Sequence, residues 1–206
     1  MLFRSLSGRI PPSSGRILLG GEDITKVHQS ARVRRGLGRT FQVTTLFRSL
    51  TVLDNVALGI AERERVSRRM WKPASRHDEI KDEAMALLRT LGLADDAKSA
   101  VQDLPYGRQR LVEIAIALGL KPRVLLLDEP AAGVPSQDSG RILEVLGALP
   151  GDIAILIIEH DMDVVFRFAS RIIVMAGGRI LVQGAPEEIS RDAEVREVYL
   201  GKAWRG

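Results

Sequence analysis

Val124-Leu125-Leu126-Leu127-Asp128-Glu129-Pro130 runs four aliphatic residues straight into two adjacent carboxylates and a proline. An apolar run without polar alternation reads as a strand covered on both faces, as in a parallel sheet held between helical layers. The surrounding pattern agrees. A helix is predicted from about Gly107 to Leu120, a second from Gln137 to Leu149, a second apolar strand from Ile153 to Glu159, and a helix from Asp161 to Ala169. Helix and strand in alternation is α/β order. Ile172–Met175, Gly177-Gly178 and Arg179–Val182 then read as a hairpin closing the sheet.

Upstream, Met1–Ser7 reads as the tail of a helix that stops at Gly8, Gly15–Leu19 as a short strand, and Leu37–Gln42 as another extended piece. From Asp54 to about Leu93 apolar residues recur at helical spacing, with Ile80, Ala84, Leu87, Leu88 and Leu91 on one stripe. This predicts a helical insertion, opened by a capping box at Thr51-x-x-Asp54. Hydrophobic residues make up 45% of the 206 and charged residues 27%, so a packed interior is expected. Zero cysteines exclude a disulfide framework, a thiolate metal site and a cysteine nucleophile. The longest apolar runs, Ile153–Ile158 and Val124–Leu127, fall far short of the ~20 residues of a spanning helix. Much of the net charge of +4 lies in Arg63, Arg65, Arg68, Arg69, Lys72 and Arg76 around Trp71, a cluster that could meet nucleic acid or acidic lipid headgroups but reads first as a solvated loop or helix face.

Open α/β sheets bind ligands at the carboxyl ends of their strands. Paired acids there are costly to bury. The cost makes sense if Asp128 orients a hydrated Mg²⁺ that bridges ATP phosphates while Glu129 polarises the attacking water. Read alone, the acids are a helix cap. Glu159-His160-Asp161 ends the second apolar strand, so if the strands are neighbours, His160 emerges at the same sheet edge, where an imidazole can meet a γ-phosphate. Leu104-Pro105-Tyr106-Gly107-Arg108-Gln109-Arg110 leads into an amphipathic helix, whose electropositive start can take a phosphate presented by another subunit. By itself Pro-Tyr-Gly is only a turn before a core helix.

In this order the pieces resemble the nucleotide-binding domain of ABC transporters over nearly the whole chain. Arg39-Thr40-Phe41-Gln42 and the following Leu50–Val56 look like the Q-loop region, Gly107 and its surroundings like the signature loop, Val124–Pro130 like the Walker B strand, and His160 like the switch histidine. Leu104-Pro105-Tyr106-Gly107, Ala131-Ala132-Gly133, Glu159-His160-Asp161-Met162 and Val198-Tyr199-Leu200-Gly201 are most similar to the branched-chain amino acid importer branch, which includes urea-type importers. The resemblance implies a P-loop NTPase-like (RecA-like) parallel sheet with a partial N-terminal antiparallel portion, one domain over 1–206 with a helical subdomain inserted at 54–103. It implies an ATPase with ATP and Mg²⁺ as cofactors, Glu129 and His160 catalytic, and Asp128 and Gln42 at the metal. Tyr106, Gly107 and Arg108 would meet nucleotide in trans. The implied partners are transmembrane permease subunits and a second ATP-binding subunit, identical or not, with the chain peripheral on the cytoplasmic face of the inner membrane.

The pattern also departs from that family. No Gly-x-x-x-x-Gly-Lys-Ser/Thr occurs, so Walker A is absent, and Met1–Gly8 resembles the helix that follows it. The expectation is a start codon assigned too far downstream or a shortened gene, with the P-loop strand lacking and the chain inactive on its own. The alternative is a catalytically silent subunit that lends only its signature face to a partner. Pro135, Arg108 and Ile116 are smaller departures that leave the metal and water ligands in place. A nucleic-acid ATPase would need coiled-coil or tandem-domain insertions, and the sequence has neither, so no nucleic-acid partner is expected.

Overall fold

The computed structural model describes residues 2–40, 46–65 and 75–197, so Gln42, Trp71, Arg68, Arg69, Lys72 and Val198–Gly201 lie outside the described residues, as does the Arg76 side chain. The chain divides into two compact units, Met1–Ile158 and Glu159–Gly206.

The first unit is built on a parallel sheet in the order β3-β4-β5, with β3 Leu37–Arg39, β4 Val124–Asp128 and β5 Ala154–Ile158. Leu37 stands opposite Val124, and Asp128 opposite Ile158. The middle strand buries Leu125, Leu126 and Leu127 completely, as its unbroken apolar run requires. β5 corrects the expectation of a second fully covered strand: Ala154 is exposed and the other four residues are half-buried. It is an end strand of the described sheet, which pairs it on one side only.

Beneath the sheet, α1 (Leu2–Leu6) places Phe3 in an apolar cluster with Leu37 and Leu126. β1 (Leu18–Leu19) and β2 (Glu22–Asp23) form a short antiparallel ladder, and α2 (Gln29–Arg34) follows. Arg32 of α2 is the largest fully buried side chain. Its guanidinium donates to the carbonyls of Ser5, Leu6, Thr25 and Val27 at 2.7 to 2.9 Å, so it closes the carboxyl end of α1 with a cation. Burial pushes its pKa below the ordinary arginine value.

The helical segment comprises α3 (Val52–Arg63) and α4 (Ser75–Thr90), packed on each other, with α3 also against α5 (Tyr106–Gly119). Ile80, Ala84, Leu88 and Leu91 are buried as the stripe predicts, while Leu87 is half-buried. Thr51 caps α3 by accepting from the Asp54 amide at 3.1 Å, and its hydroxyl donates to the Asp54 carboxylate at 2.6 Å. Arg63 corrects the solvated-face reading. Its side chain is 17% exposed and makes two parallel hydrogen bonds to Glu83 of α4, at 2.8 and 2.7 Å, plus one to the Gly119 carbonyl at 2.6 Å. One cation thus ties the carboxyl ends of α3 and α5 to the middle of α4. α6 (Ser136–Gly147) packs on α5 and buries Ile142, Leu143 and Leu146.

In the second unit, α7 (Met162–Phe168) precedes β6 (Ile172–Ala176) and β7 (Arg179–Gly184), and α8 (Pro186–Arg191) and α9 (Ala193–Val195) follow. The expected closing of the parallel sheet is corrected: among the described residues β6 and β7 pair antiparallel with each other alone, as a sheet of two, with a bulge between Val174 and Met175. Ile172, Val174, Ile189 and Val195 give this unit its own core.

Candidate functional site

β4 delivers Asp128 to the carboxyl end of the sheet, half-buried. Arg39, at the end of β3, donates to the Asp128 carboxylate at 3.2 Å, with side chains 9% and 15% exposed. The same guanidinium donates to Ser7 Oγ at 3.0 Å and to the Phe3 carbonyl at 3.4 Å. Sequence reasoning placed Arg39 in a motif but gave it no role. The signal was a cation at the carboxyl end of a strand, which becomes informative only once β3 and β4 are known to be neighbours.

The chain turns sharply after Asp128. Glu129 has φ +47, in the left-handed region that side chains other than glycine seldom occupy, and its amide donates to the Ile158 carbonyl at 2.9 Å. Ala132 then bonds back to Glu129 and Val134 to Ala131, so two tight turns carry the chain through Gly133 (φ +73) to the start of α6. Glu129 is half-buried and follows Asp128 directly at this bend.

Tyr106 opens α5 and is 40% exposed, while Gly107 is buried in the first turn. Pro105 precedes the helix and supplies no side-chain cap hydrogen bond to that electropositive end. The Tyr106 ring stacks with the Arg110 guanidinium at 5.0 Å. It also lies 3.5 Å from where a Cβ on Gly133 would stand, so the start of α5 meets the turn that follows β4. Arg108 is ion-paired with Asp96.

Within the first unit the structure therefore joins Asp128, Glu129 and Arg39, and brings Tyr106 to Gly133. β5 ends at Ile158, opposite Asp128, and His160 follows two residues later as an exposed residue of the second unit. The loop from Phe47 to Thr51 is held by Asn55, another residue that the sequence placed in a motif without a role. Its buried amide accepts from the Phe47 amide at 2.9 Å and donates to the carbonyls of Phe47 and Thr51 at 3.0 and 2.9 Å.

The family model described as ABC transporter matches residues 1–132, and that described as Branched-chain amino acid ATP-binding cassette transporter matches residues 179–204. The chain belongs to the ABC transporter family, as an ATP-binding subunit on its branched-chain amino acid branch. It is 34% identical over 211 residues to the high-affinity branched-chain amino acid transport ATP-binding protein LivG of Escherichia coli, covering 98% of this chain and 82% of that protein. BraF of Pseudomonas aeruginosa, of the same description, is 33% identical with the same coverage. The phosphonates import ATP-binding protein PhnC of Nitratidesulfovibrio vulgaris is 34% identical, covering 98% of this chain and 77% of that one. Among solved structures, MJ1267, an ATP-binding cassette of an ABC transporter, superposes with TM-score 0.83 at 28% identity, over 96% of this chain and 81% of that one. Its ADP conformation gives 0.81 at 29% identity, over 98% and 82%. The expected P-loop NTPase-like α/β fold stands. Among the described residues no helix is long and apolar enough to cross a membrane.

Proposed function

We propose that the chain drives uptake of branched-chain amino acids through separate membrane subunits, with Asp128 and Glu129 acting on the magnesium and the water of a bound ATP. The observation that carries this reading is the paired acids at the carboxyl end of a buried central strand, followed at once by a strained turn.

The residues fit a magnesium ion of the kind bound largely through substrate phosphates and water. Asp128 is a single carboxylate, and the described residues hold no cluster of three His, Cys, Asp or Glu that would make an all-protein cage. Asp128 and Gln42 would hold the ion, which neutralises charge on the phosphates when bound. Glu129 accepts a proton from the water that attacks the γ-phosphate. His160 steadies the charge that develops on that phosphate. The uncapped start of α5, with Tyr106, Gly107 and Arg108, faces the nucleotide of a second ATP-binding subunit, identical or a sister chain. Residues 54–103 act as the helical subdomain of a single nucleotide-binding domain. The membrane subunits hold the assembly on the cytoplasmic face of the inner membrane.

Identity alone does not choose the cargo, since amino acid and phosphonate relatives are equally similar. The C-terminal match over residues 179–204 supports branched-chain amino acids. Uptake of labelled leucine, isoleucine and phosphonate in a deletion strain tests this. Loss of leucine and isoleucine uptake with phosphonate uptake intact is expected, and the reverse pattern would move the cargo to the phosphonate class.

A further inference from the structure

Asp128 already has a cation. The Arg39 guanidinium donates to its carboxylate at 3.2 Å, and both side chains are nearly covered. A charge pair this well screened from water is held firmly, and a positive charge at a carboxylate repels any second cation that approaches it. Arg39 also has partners besides Asp128. Nη1 donates to Ser7 Oγ at 3.0 Å and to the Phe3 carbonyl at 3.4 Å, and the group lies 5.9 Å from the Phe3 ring centre. If Asp128 turned away, the guanidinium would keep hydrogen bonds and an aromatic neighbour.

Its base is also fixed. Arg39 stands opposite Leu126 in the β3–β4 ladder, and the Thr40 amide donates to the Leu126 carbonyl at 3.1 Å. Gln42 is three residues further on. Arg39 therefore touches the α1 region and the acid of β4 from one position.

We propose that Arg39 is a positioning residue that acts as a resident counter-ion of Asp128, keeping the carboxylate ordered before the divalent cation arrives and yielding it when the cation binds. The inference rests on the reading of Asp128 as the metal carboxylate. It assigns Arg39 a cost in metal affinity in exchange for an ordered, paired acid when no metal is present. A lysine keeps the charge but not the planar fork, and a methionine keeps much of the length but no charge.

The test is a Mn²⁺ titration of the 206-residue chain with a non-hydrolysable ATP analogue present, read as paramagnetic broadening of the backbone amide signals of Asp128 and Glu129, so that surface carboxylates do not contribute. Arg39→Met is expected to tighten Mn²⁺ by about fivefold through loss of the competing charge, whereas Arg39→Lys stays within about twofold of the unsubstituted chain. Structural damage would weaken the site, so tightening separates the proposed role from mere support. Unchanged or weaker binding in Arg39→Met, or equal tightening in Arg39→Lys, overturns the proposal. If Arg39→Met does not fold, Arg39→Gln takes its place with the same expectation. Asp128→Asn must abolish the broadening. If it does not, the metal reading of Asp128 fails and the inference falls with it; if it does while Arg39→Met leaves affinity unchanged, only the inference fails.

Discussion

The Glu129 amide donates to the Ile158 carbonyl at 2.9 Å while Glu129 itself sits at φ +47. The bond ties the turn after β4 to the end of β5, and it holds the acid in a conformation that costs a side-chain-bearing residue about 1 kcal/mol. Glycine pays no such cost. Glu129→Gly is therefore expected to leave the urea midpoint unchanged or raise it, and Glu129→Val to lower it by more than the loss of a half-buried carboxylate explains. Urea unfolding followed by circular dichroism checks the order of the three proteins.

Arg63 and Glu83 give the helical segment an acid-sensitive tie. Hydrogen bonds from Arg63 hold the Glu83 carboxyl at about 2, with burial opposing them and Lys121, at 3.1 Å, adding to the lowering. A depressed carboxyl binds fewer protons folded than unfolded, so its contribution is fully present above the ordinary 4.5 and is lost as pH falls from there towards about 2. That contribution is on the order of 2 kcal/mol, reduced by the partial exposure of Glu83. Glu83→Gln should flatten the acid limb of a stability profile between those values, and an unchanged slope would remove the pair as its cause.

Asn55 is a buried polar group whose partners are backbone. Asn55→Leu takes the acceptor from the Phe47 amide, at about 1–3 kcal/mol for an unsatisfied group, while the carbonyls of Phe47 and Thr51 keep the bonds they accept from the Leu50 and residue-55 amides. The expected local sign is faster hydrogen exchange at the Phe47 amide, before any change in the amides of α5.

Gly8 has φ +80, and a Cβ there would stand 2.8 Å from Arg32 Nε. Gly8→Ala meets both the strained dihedral and a guanidinium fixed by four carbonyls, so it is expected to lower stability by about 2 kcal/mol or more, seen as a lower thermal midpoint. Arg32→Lys should lower it too, since an ammonium cannot reproduce the fork that reaches Ser5, Leu6, Thr25 and Val27.

The fold was legible where the pattern was local. Val124–Asp128 has the bounds its apolar run implies, and the α4 stripe is buried as its spacing requires, because burial on both faces or on one stripe writes itself into composition. The failures were non-local. Ile153–Ile158 is as apolar as the middle strand, yet an end strand and a middle strand of one sheet differ only in their neighbours, which the sequence does not name. Gly177-Gly178 gave the hairpin correctly, but not which sheet it joins. At the site, Asp128 and Glu129 were readable from their adjacency. Arg39 and Asn55 were not, since one acts across a span of 89 residues and the other on backbone groups of its own loop. Arg63 was misread because its partner Glu83 lies on the next helix.

The central claim is that Glu129 performs chemistry on an ATP held by this chain. It is tested by single-turnover hydrolysis in the assembled importer, with membrane subunits and partner cassette present, comparing Glu129→Gln with the unsubstituted protein. The account predicts hydrolysis slower by about 10²-fold or more with bound ATP retained, as expected for removal of a general base. Hydrolysis at an unchanged rate in Glu129→Gln, with loss of turnover only when the start of α5 is altered by Gly107→Val, would contradict it and leave the chain as a silent partner that lends its signature face.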